Sequence, residues 1–94
     1  MNLTATDREQ IRLSALRYCE AAAGFGLMES VILQQIRNEG LRSLSREQLG
    51  EQLHYLESKN LIAPASKIVS PELRRWCITA AGMDLLAQNR PLNE

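Results

Sequence analysis

The chain has 94 residues, of which 45% are hydrophobic and 23% are charged, and its eleven Lys and Arg side chains balance eleven Asp and Glu side chains. A chain this short holds one hydrophobic core, which excludes a multidomain enzyme, and its composition excludes a disordered or collagen-like protein. Because the formal net charge is zero, no overall field draws the protein to nucleic acid or to an anionic membrane. A charged partner therefore has to meet a local patch.

The N-terminal residues and the cysteines predict a cytoplasmic protein. Residues 1–9 are polar and acidic, and no apolar stretch approaches the length of a membrane span, so we expect neither a signal peptide nor a transmembrane helix. Cys19 and Cys77 lack the spacing of a metal motif and fall in predicted regular structure. This favours buried thiols in a reducing compartment over a disulfide.

Two helices are predicted in the first 40 residues. Residues 6–9 (TDRE) have the form of a capping box, and apolar side chains recur at helical spacing over residues 7–22. A second helical pattern begins at Leu27 and ends at Gly40, where glycine can adopt the left-handed conformation of a helix C-cap. Both helices have one apolar face, so we expect them to pack on a common core.

A third helix is predicted to begin with a second capping box at residues 45–48 (SREQ). Three leucines then follow on one face, and the pattern runs through Lys59. Asn60 is placed to end the helix as a left-handed cap, because asparagine tolerates that conformation better than most residues.

The remaining chain predicts a hairpin and a short helix. Residues 61–63 (LIA) form a short apolar run ended by Pro64, which indicates an edge strand because proline cannot donate to a central sheet ladder. Residues 74–78 (RRWCI) predict a second strand, which makes a hairpin with a long tip. Thr79 can cap a last helix over residues 80–88. The predicted fold is mainly α with a small β-hairpin.

This order of elements resembles a winged helix-turn-helix domain. Residues 55–62 (YLESKNLI) look like the end of a recognition helix running into the first wing strand, and residues 78–86 (ITAAGMDLL) look like the closing strand and helix of such regulators. Over residues 8–87 the chain resembles more narrowly the small winged-helix proteins of Mu-like bacteriophages and prophages. The segments that carry this resemblance are residues 11–17 (IRLSALR), 24–30 (GFGLMES) and 45–49 (SREQL). The hairpin tip at residues 64–73 is longer than is usual in that family.

The resemblance implies that the third helix enters the major groove of duplex DNA. The helix side opposite the leucines carries polar side chains, and among these Gln pairs well with adenine while Glu accepts from cytosine. The residues that we expect in the groove are Arg46, Gln48, Glu51, Gln52 and Tyr55. The alternative is a solvated helix face. Three glutamates in this helix favour that alternative, because phosphates repel carboxylates.

The hairpin is the basic part of the chain. Residues 61–78 carry a net charge of +2, whereas the segments before and after them are neutral or acidic. The residues that we expect to contact phosphates are Arg42, before the third helix, and Lys67, Arg74 and Arg75 on the wing. The alternative for Arg74 and Arg75 is an edge strand protected by charge from pairing with another chain.

Four phosphate contacts hold a monomer weakly, because each adds only about 0.9 to the salt slope of binding. A two-fold homodimer doubles the contacts and reads two half-sites, so we expect a homodimer. The first helix, or residues 1–6 with the tail from Asn89, is the expected dimer element. The rival hypothesis is a winged-helix module that docks a phage or host protein without binding DNA. Trp76 is then either a partner-binding anchor or, as we favour, part of the core.

Enzymatic patterns are lacking in the sequence. His54 is the single histidine, and no motif connects it to a nucleophile. The glycines at residues 24–26 have no preceding strand, and no Walker motif is present. Glu47 and Glu51 lie one helical turn apart without further carboxylates nearby, which does not make a metal site. We therefore expect neither enzymatic activity nor a cofactor.

Overall fold

The computed structural model describes residues 2–22, 25–65 and 74–89. It is mainly helical, with a small three-stranded antiparallel sheet in the order β1-β3-β2. The elements in chain order are α1 (Ala5–Ala21), β1 (Leu27–Met28), α2 (Glu29–Asn38), α3 (Arg46–Ser58), β2 (Ile62–Pro64), β3 (Arg75–Ile78) and α4 (Ala80–Gln88). The predicted helical content and the antiparallel pairing of the last two strands are confirmed.

The first helix begins earlier than the sequence pattern predicts. Thr4 is its N-cap: the Asp7 amide donates to the Thr4 hydroxyl at 3.0 Å, and the Thr4 amide donates to the Asp7 carboxylate at 3.1 Å. The prediction of a capping box at residues 6–9 is therefore wrong. Thr4 and Asp7 offer the same three-residue spacing one half-turn earlier, which lets Thr6 join the helix.

The N-caps predicted for α3 and α4 are confirmed. At α3 the Gln48 amide donates to the Ser45 hydroxyl at 3.1 Å, and the Ser45 amide donates to the Gln48 side-chain oxygen at 3.0 Å. At α4 the Gly82 amide donates to the Thr79 hydroxyl at 3.1 Å. Asn60, after α3, has a φ of 60°, which is the left-handed conformation that the sequence predicts for it.

Leu27 and Met28 form strand β1, and the prediction that they open the second helix is wrong. Gly26 turns the chain with a φ of 76°, and a Cβ there would lie only 2.9 Å from the Ala65 Cβ. The backbone at Gly26 therefore lies close to the sheet. The next two residues join the sheet, where Leu27 pairs with Trp76 and Met28 pairs with Arg75. A two-residue strand has no alternation of its own, so helical spacing of the surrounding apolar residues concealed it.

Strand β3 is the centre of the sheet. It pairs with β1 on one side and with β2 on the other, where Ile62 faces Ile78 and Ala63 faces Cys77. The edge-protection alternative for the arginines at the start of this strand is therefore wrong, because β3 is not an edge. Proline is tolerated at Pro64 since it ends β2, which is an edge strand.

The core lies between the helices and one face of the sheet. Trp76, which is 2% exposed, is its largest fully buried side chain, so the favoured core position of this residue is confirmed. The indole nitrogen of Trp76 lies 3.4 Å from a Glu29 carboxylate oxygen. Leu44, in the connection before α3, is also fully buried, and its carbonyl accepts a 2.8 Å hydrogen bond from Arg37 Nε. No helix in these three described stretches has the length and apolar content of a membrane span.

Gly82 and Gly50 give a matched pair of glycine substitutions that tests the packing of α4. A Cβ at Gly82 would lie 2.3 Å from the Leu61 carbonyl oxygen, whereas a Cβ at Gly50 meets nothing within 4 Å. We expect Gly82→Ala to lower the free energy of unfolding by about 2 kcal/mol or more, because backbone must move. Gly50→Ala, inside α3, should raise it by about 0.5–1 kcal/mol. Urea denaturation followed by circular dichroism measures both, and equal effects would contradict this packing.

Candidate functional site

The exposed face of α3 carries part of the predicted groove-reading set. Arg46 and Glu51 are exposed, as is Tyr55 at 41%, while the three leucines of the opposite face are buried. Glu47 and His54 are exposed on the same helix. These side chains are available to a ligand.

Gln52 and Gln48 are engaged inside the protein. Gln52 is only 6% exposed, and its side-chain oxygen accepts a 2.9 Å hydrogen bond from Arg12 Nε. The Gln48 side chain is half-buried and caps Ser45, as described above. We therefore correct the groove set by removing Gln52, which belongs to the α1–α3 contact. Its position three residues after Leu49 is the signal in the sequence that places it beside the leucine face.

Tyr55 leans toward α1. The Arg12 guanidinium lies 4.2 Å from the centroid of its ring, and the Lys59 ammonium lies 5.7 Å from the same centroid. Both distances are within the range of a cation–π interaction. Two cations are thereby held at one edge of α3 by an uncharged ring.

The predicted phosphate contacts differ in exposure. Arg42, in the turn before α3, and Arg75, on β3, are exposed. Arg74 is half-buried with its guanidinium 5.1 Å from the Trp76 ring, and its Nε is buried without a partner in the described structure. Lys67 lies outside the described residues. Of the three described members of this set, Arg42 and Arg75 are therefore the exposed ones.

Carboxylates surround the start of α3. Glu29, the first residue of α2, and Glu47 line the same shallow depression as Arg46. Because Glu29 also lies beside the Trp76 indole, this acidic residue connects the start of α3 with the central strand. The local positive potential around Arg46 is weakened by these two negative charges.

A groove of about 410 Å³ runs between α1, α3 and α4. Buried or half-buried leucines line it, namely Leu13, Leu16, Leu56, Leu61 and Leu85. Its charged and aromatic residues are Glu9, Arg12, Tyr55 and Lys59. No local sequence pattern predicts this groove, because its residues come from three helices and from the segments that follow α3 and α4.

A second polar cluster ties α1 to the end of α2. Glu39 accepts hydrogen bonds from the Tyr18 hydroxyl and, at 2.9 Å, from the Ser14 hydroxyl. Arg17 donates to the Ser14 oxygen at 3.1 Å. Burial, together with the bond to Glu39 and its negative charge, raises the pKa of Tyr18 to about 12. The cluster stabilises helix packing and has no reactive base.

Cys19 and Cys77 form no disulfide; Cys19 is fully buried and Cys77 is half-buried. Burial, and to a lesser extent the Cys77 thiol, raises the pKa of Cys19 to about 12, so Cys19 is a poor nucleophile at neutral pH. Across residues 2–22, 25–65 and 74–89 no group of three potential metal ligands comes together.

Comparison with known protein families found no matching family model, and comparison with curated proteins found no significant match.

Gln52 and its neighbour Glu51 test the correction to the groove set. We expect Gln52→Ala to lower the free energy of unfolding by about 1–3 kcal/mol, because it leaves the Arg12 hydrogen bond unmade inside the protein. Glu51→Ala, at an exposed position, should change that energy by no more than about 0.5 kcal/mol. Urea denaturation measures both variants. If the Gln52→Ala protein is as stable as wild type, the hydrogen bond with Arg12 does not hold Gln52 inside the protein, and Gln52 belongs with the exposed residues of α3.

Tyr18 gives a pH-dependent prediction. Folding raises its pKa from 10.0 to about 12, so the stability linked to this group is complete below pH 10 and is lost as pH rises through about 12. We expect Glu39→Gln to shift the Tyr18 ionisation part of the way back, since it removes a negative charge but not the burial. Absorbance at 295 nm, with circular dichroism to confirm folding, follows the ionisation. Glu47→Gln is the matched control, and a Tyr18 pKa unmoved by Glu39→Gln contradicts the assignment.

Proposed function

We propose that this chain is a winged-helix domain that binds duplex DNA, with α3 in the major groove and the β2–β3 hairpin on the backbone. The chain order α1-β1-α2-α3-β2-β3-α4 and the sheet order β1-β3-β2 support this proposal, because they supply a third strand beside the hairpin and leave one side of α3 uncovered. With the sequence resemblance, they favour a cytoplasmic regulator of the phage or prophage type.

The proposal depends on the exposed arginines at the start of α3 and on strand β3. Arg42 and Arg46 are exposed at the start of this helix, and Arg75 is exposed on the central strand. Glu29 lines the depression beside Arg46 and also lies next to the Trp76 indole, so the start of α3 and strand β3 are neighbours. Arginine at such positions suits phosphate oxygens, while Glu51 on α3 is exposed to meet base edges. Tyr55 is 41% exposed, but its ring is engaged by Arg12 and Lys59.

The charge balance of α3 sets the strength of this binding. Glu47 and Glu51 oppose a phosphate-lined groove, so one copy contributes only a few favourable contacts. We accordingly propose that the protein acts on DNA as a homodimer, in which two copies present equivalent α3 faces to two half-sites. Binding by such a protein is steep in salt and weak at high ionic strength.

A second function is favoured by the same carboxylates. The negative charges around Arg46, together with the zero net charge of the chain, suit a winged-helix module that contacts a protein of a phage or host instead of DNA. Capture of such a partner survives high salt when it depends on buried apolar surface, whereas phosphate contacts do not. Salt dependence thus separates the two functions.

The test is fluorescence anisotropy of a labelled random-sequence duplex titrated with the protein at several salt concentrations. We expect Arg75→Ala to reduce the salt slope by about 0.9 per protomer, because one phosphate contact is lost. Arg8→Ala, an exposed arginine of α1 outside the candidate surface, is the matched control and should leave the slope unchanged.

Two results would contradict the proposal. Absence of binding at low salt by folded wild-type protein excludes DNA binding and favours the protein-interaction module. An unchanged slope in Arg75→Ala, with wild-type slope in the control, removes β3 from the DNA backbone and leaves α3 as the contact.

A further inference from the structure

We infer that the groove between α1, α3 and α4 receives α1 of a second copy of this chain, so that two copies join about a two-fold axis. The dimer serves the proposed DNA binding, but the inference rests on the groove itself and is tested without DNA.

The shape is that of a ridge beside a groove. Glu9 and Leu13 line the groove on one side of α1, and they also line a shallower depression on its other side, of about 270 Å³. These two residues are one helical turn apart, so they form a continuous ridge between two hollows. Helices pack by placing such ridges into the grooves of their neighbours. The outer surface of α1 therefore has the form that a helix interface needs.

The groove presents two cations and several leucines, which suit an occupant that carries a carboxylate and an apolar side chain. In the described part of the chain, the side-chain partners of Arg12 are Gln52 and the Tyr55 ring, and that of Lys59 is the same ring. These partners are uncharged, and Glu9, the carboxylate that lines the same groove, forms no ion pair with either cation in the described residues, so both cations are open to an acidic group of an occupant. The leucines beside them offer apolar surface to the same occupant.

The ridge of α1 has the composition that this groove calls for. Glu9 supplies a carboxylate, and Leu13, which is only half-buried, supplies an apolar side chain four residues later. In a two-fold dimer the same surface of each copy contacts the other, so one surface has to carry both the projection and its receptor. The surface proposed here carries both, because α1 forms the ridge and also lines the groove. A second copy therefore offers Glu9 to the cations of the groove and Leu13 to its leucines.

The expected arrangement places Glu9 of each copy against Lys59 of its partner, with Leu13 directed to the leucines of the groove. Each dimer then holds two equivalent ion pairs at the margin of an apolar contact. Reversing one charge puts like charges together at both places, whereas reversing the two charges in different copies restores opposite charges. A mixing experiment can therefore read the pairing directly.

The experiment measures the mass of the protein without DNA by sedimentation equilibrium over a wide range of concentration. We expect the wild-type chain to dimerise, and Glu9→Lys and Lys59→Glu each to raise the dimer Kd by tenfold or more. An equimolar mixture of these two variants should form heterodimers with an affinity near that of wild type. Glu47→Lys, which reverses an exposed charge outside the groove, is the control and should dimerise normally.

Other outcomes overturn the inference. A wild-type chain that stays monomeric shows that the groove does not receive a second copy, and leaves it to a different acidic and apolar partner. A dimer that neither variant weakens lies on another surface. If both variants weaken the dimer but their mixture does not recover, the pairing of Glu9 with Lys59 is wrong.

These failures are distinguishable from failure of the proposed function. A monomer that still binds DNA with a salt-dependent slope overturns the dimer and keeps the DNA proposal. A charge-reversible dimer that does not bind DNA at low salt keeps the interface and excludes DNA binding. Circular dichroism of each variant confirms that it is folded.

Discussion

The arrangement of this protein depends on the burial of Trp76 at the centre of the sheet. The strand that carries it is bonded on both sides, so the largest side chain of the core is fixed by two ladders at once. Its indole nitrogen lies beside the Glu29 carboxylate at the start of α2, which connects the central strand with that helix. The helix that follows, α3, packs its leucines on the same core and turns its polar side outward. The exposed face that we assign to DNA is thus a consequence of how an aromatic side chain is enclosed.

Local sequence patterns predicted the helices well because each signal lies within a few residues. The caps at Ser45 and Thr79 and the left-handed Asn60 are matters of adjacent backbone, and the structure confirms them. Strand β1 was not predictable in this way, since its pairing with β3 joins residues almost fifty positions apart. The correct edge of the sheet could not be assigned without it.

The candidate site was predictable to the extent that exposure follows from a helical wheel. Arg46 and Glu51 are exposed as that wheel indicates, but Gln52 is held by Arg12, a residue forty positions earlier. The groove of α1, α3 and α4 escaped prediction for the same reason, because it exists only after three helices have packed. The basic character of the hairpin could be predicted from the charges of the segments, whereas the position of Glu29 beside Arg46 could not, because the two residues come from different helices. A surface assembled from distant segments of the chain can be recognised only from the three-dimensional structure.

The hydroxyl of Thr79 has a consequence for motion within the molecule. It accepts the Gly82 amide at the start of α4 and donates to the Asn60 carbonyl at 2.6 Å, while the Thr79 amide donates to the Leu61 carbonyl at 3.1 Å. The segment that follows α3 and the first turn of α4 are therefore both bonded to Thr79. A movement of α4 away from the end of α3 has to break these hydrogen bonds, so the positions of the two helices are coupled at this residue.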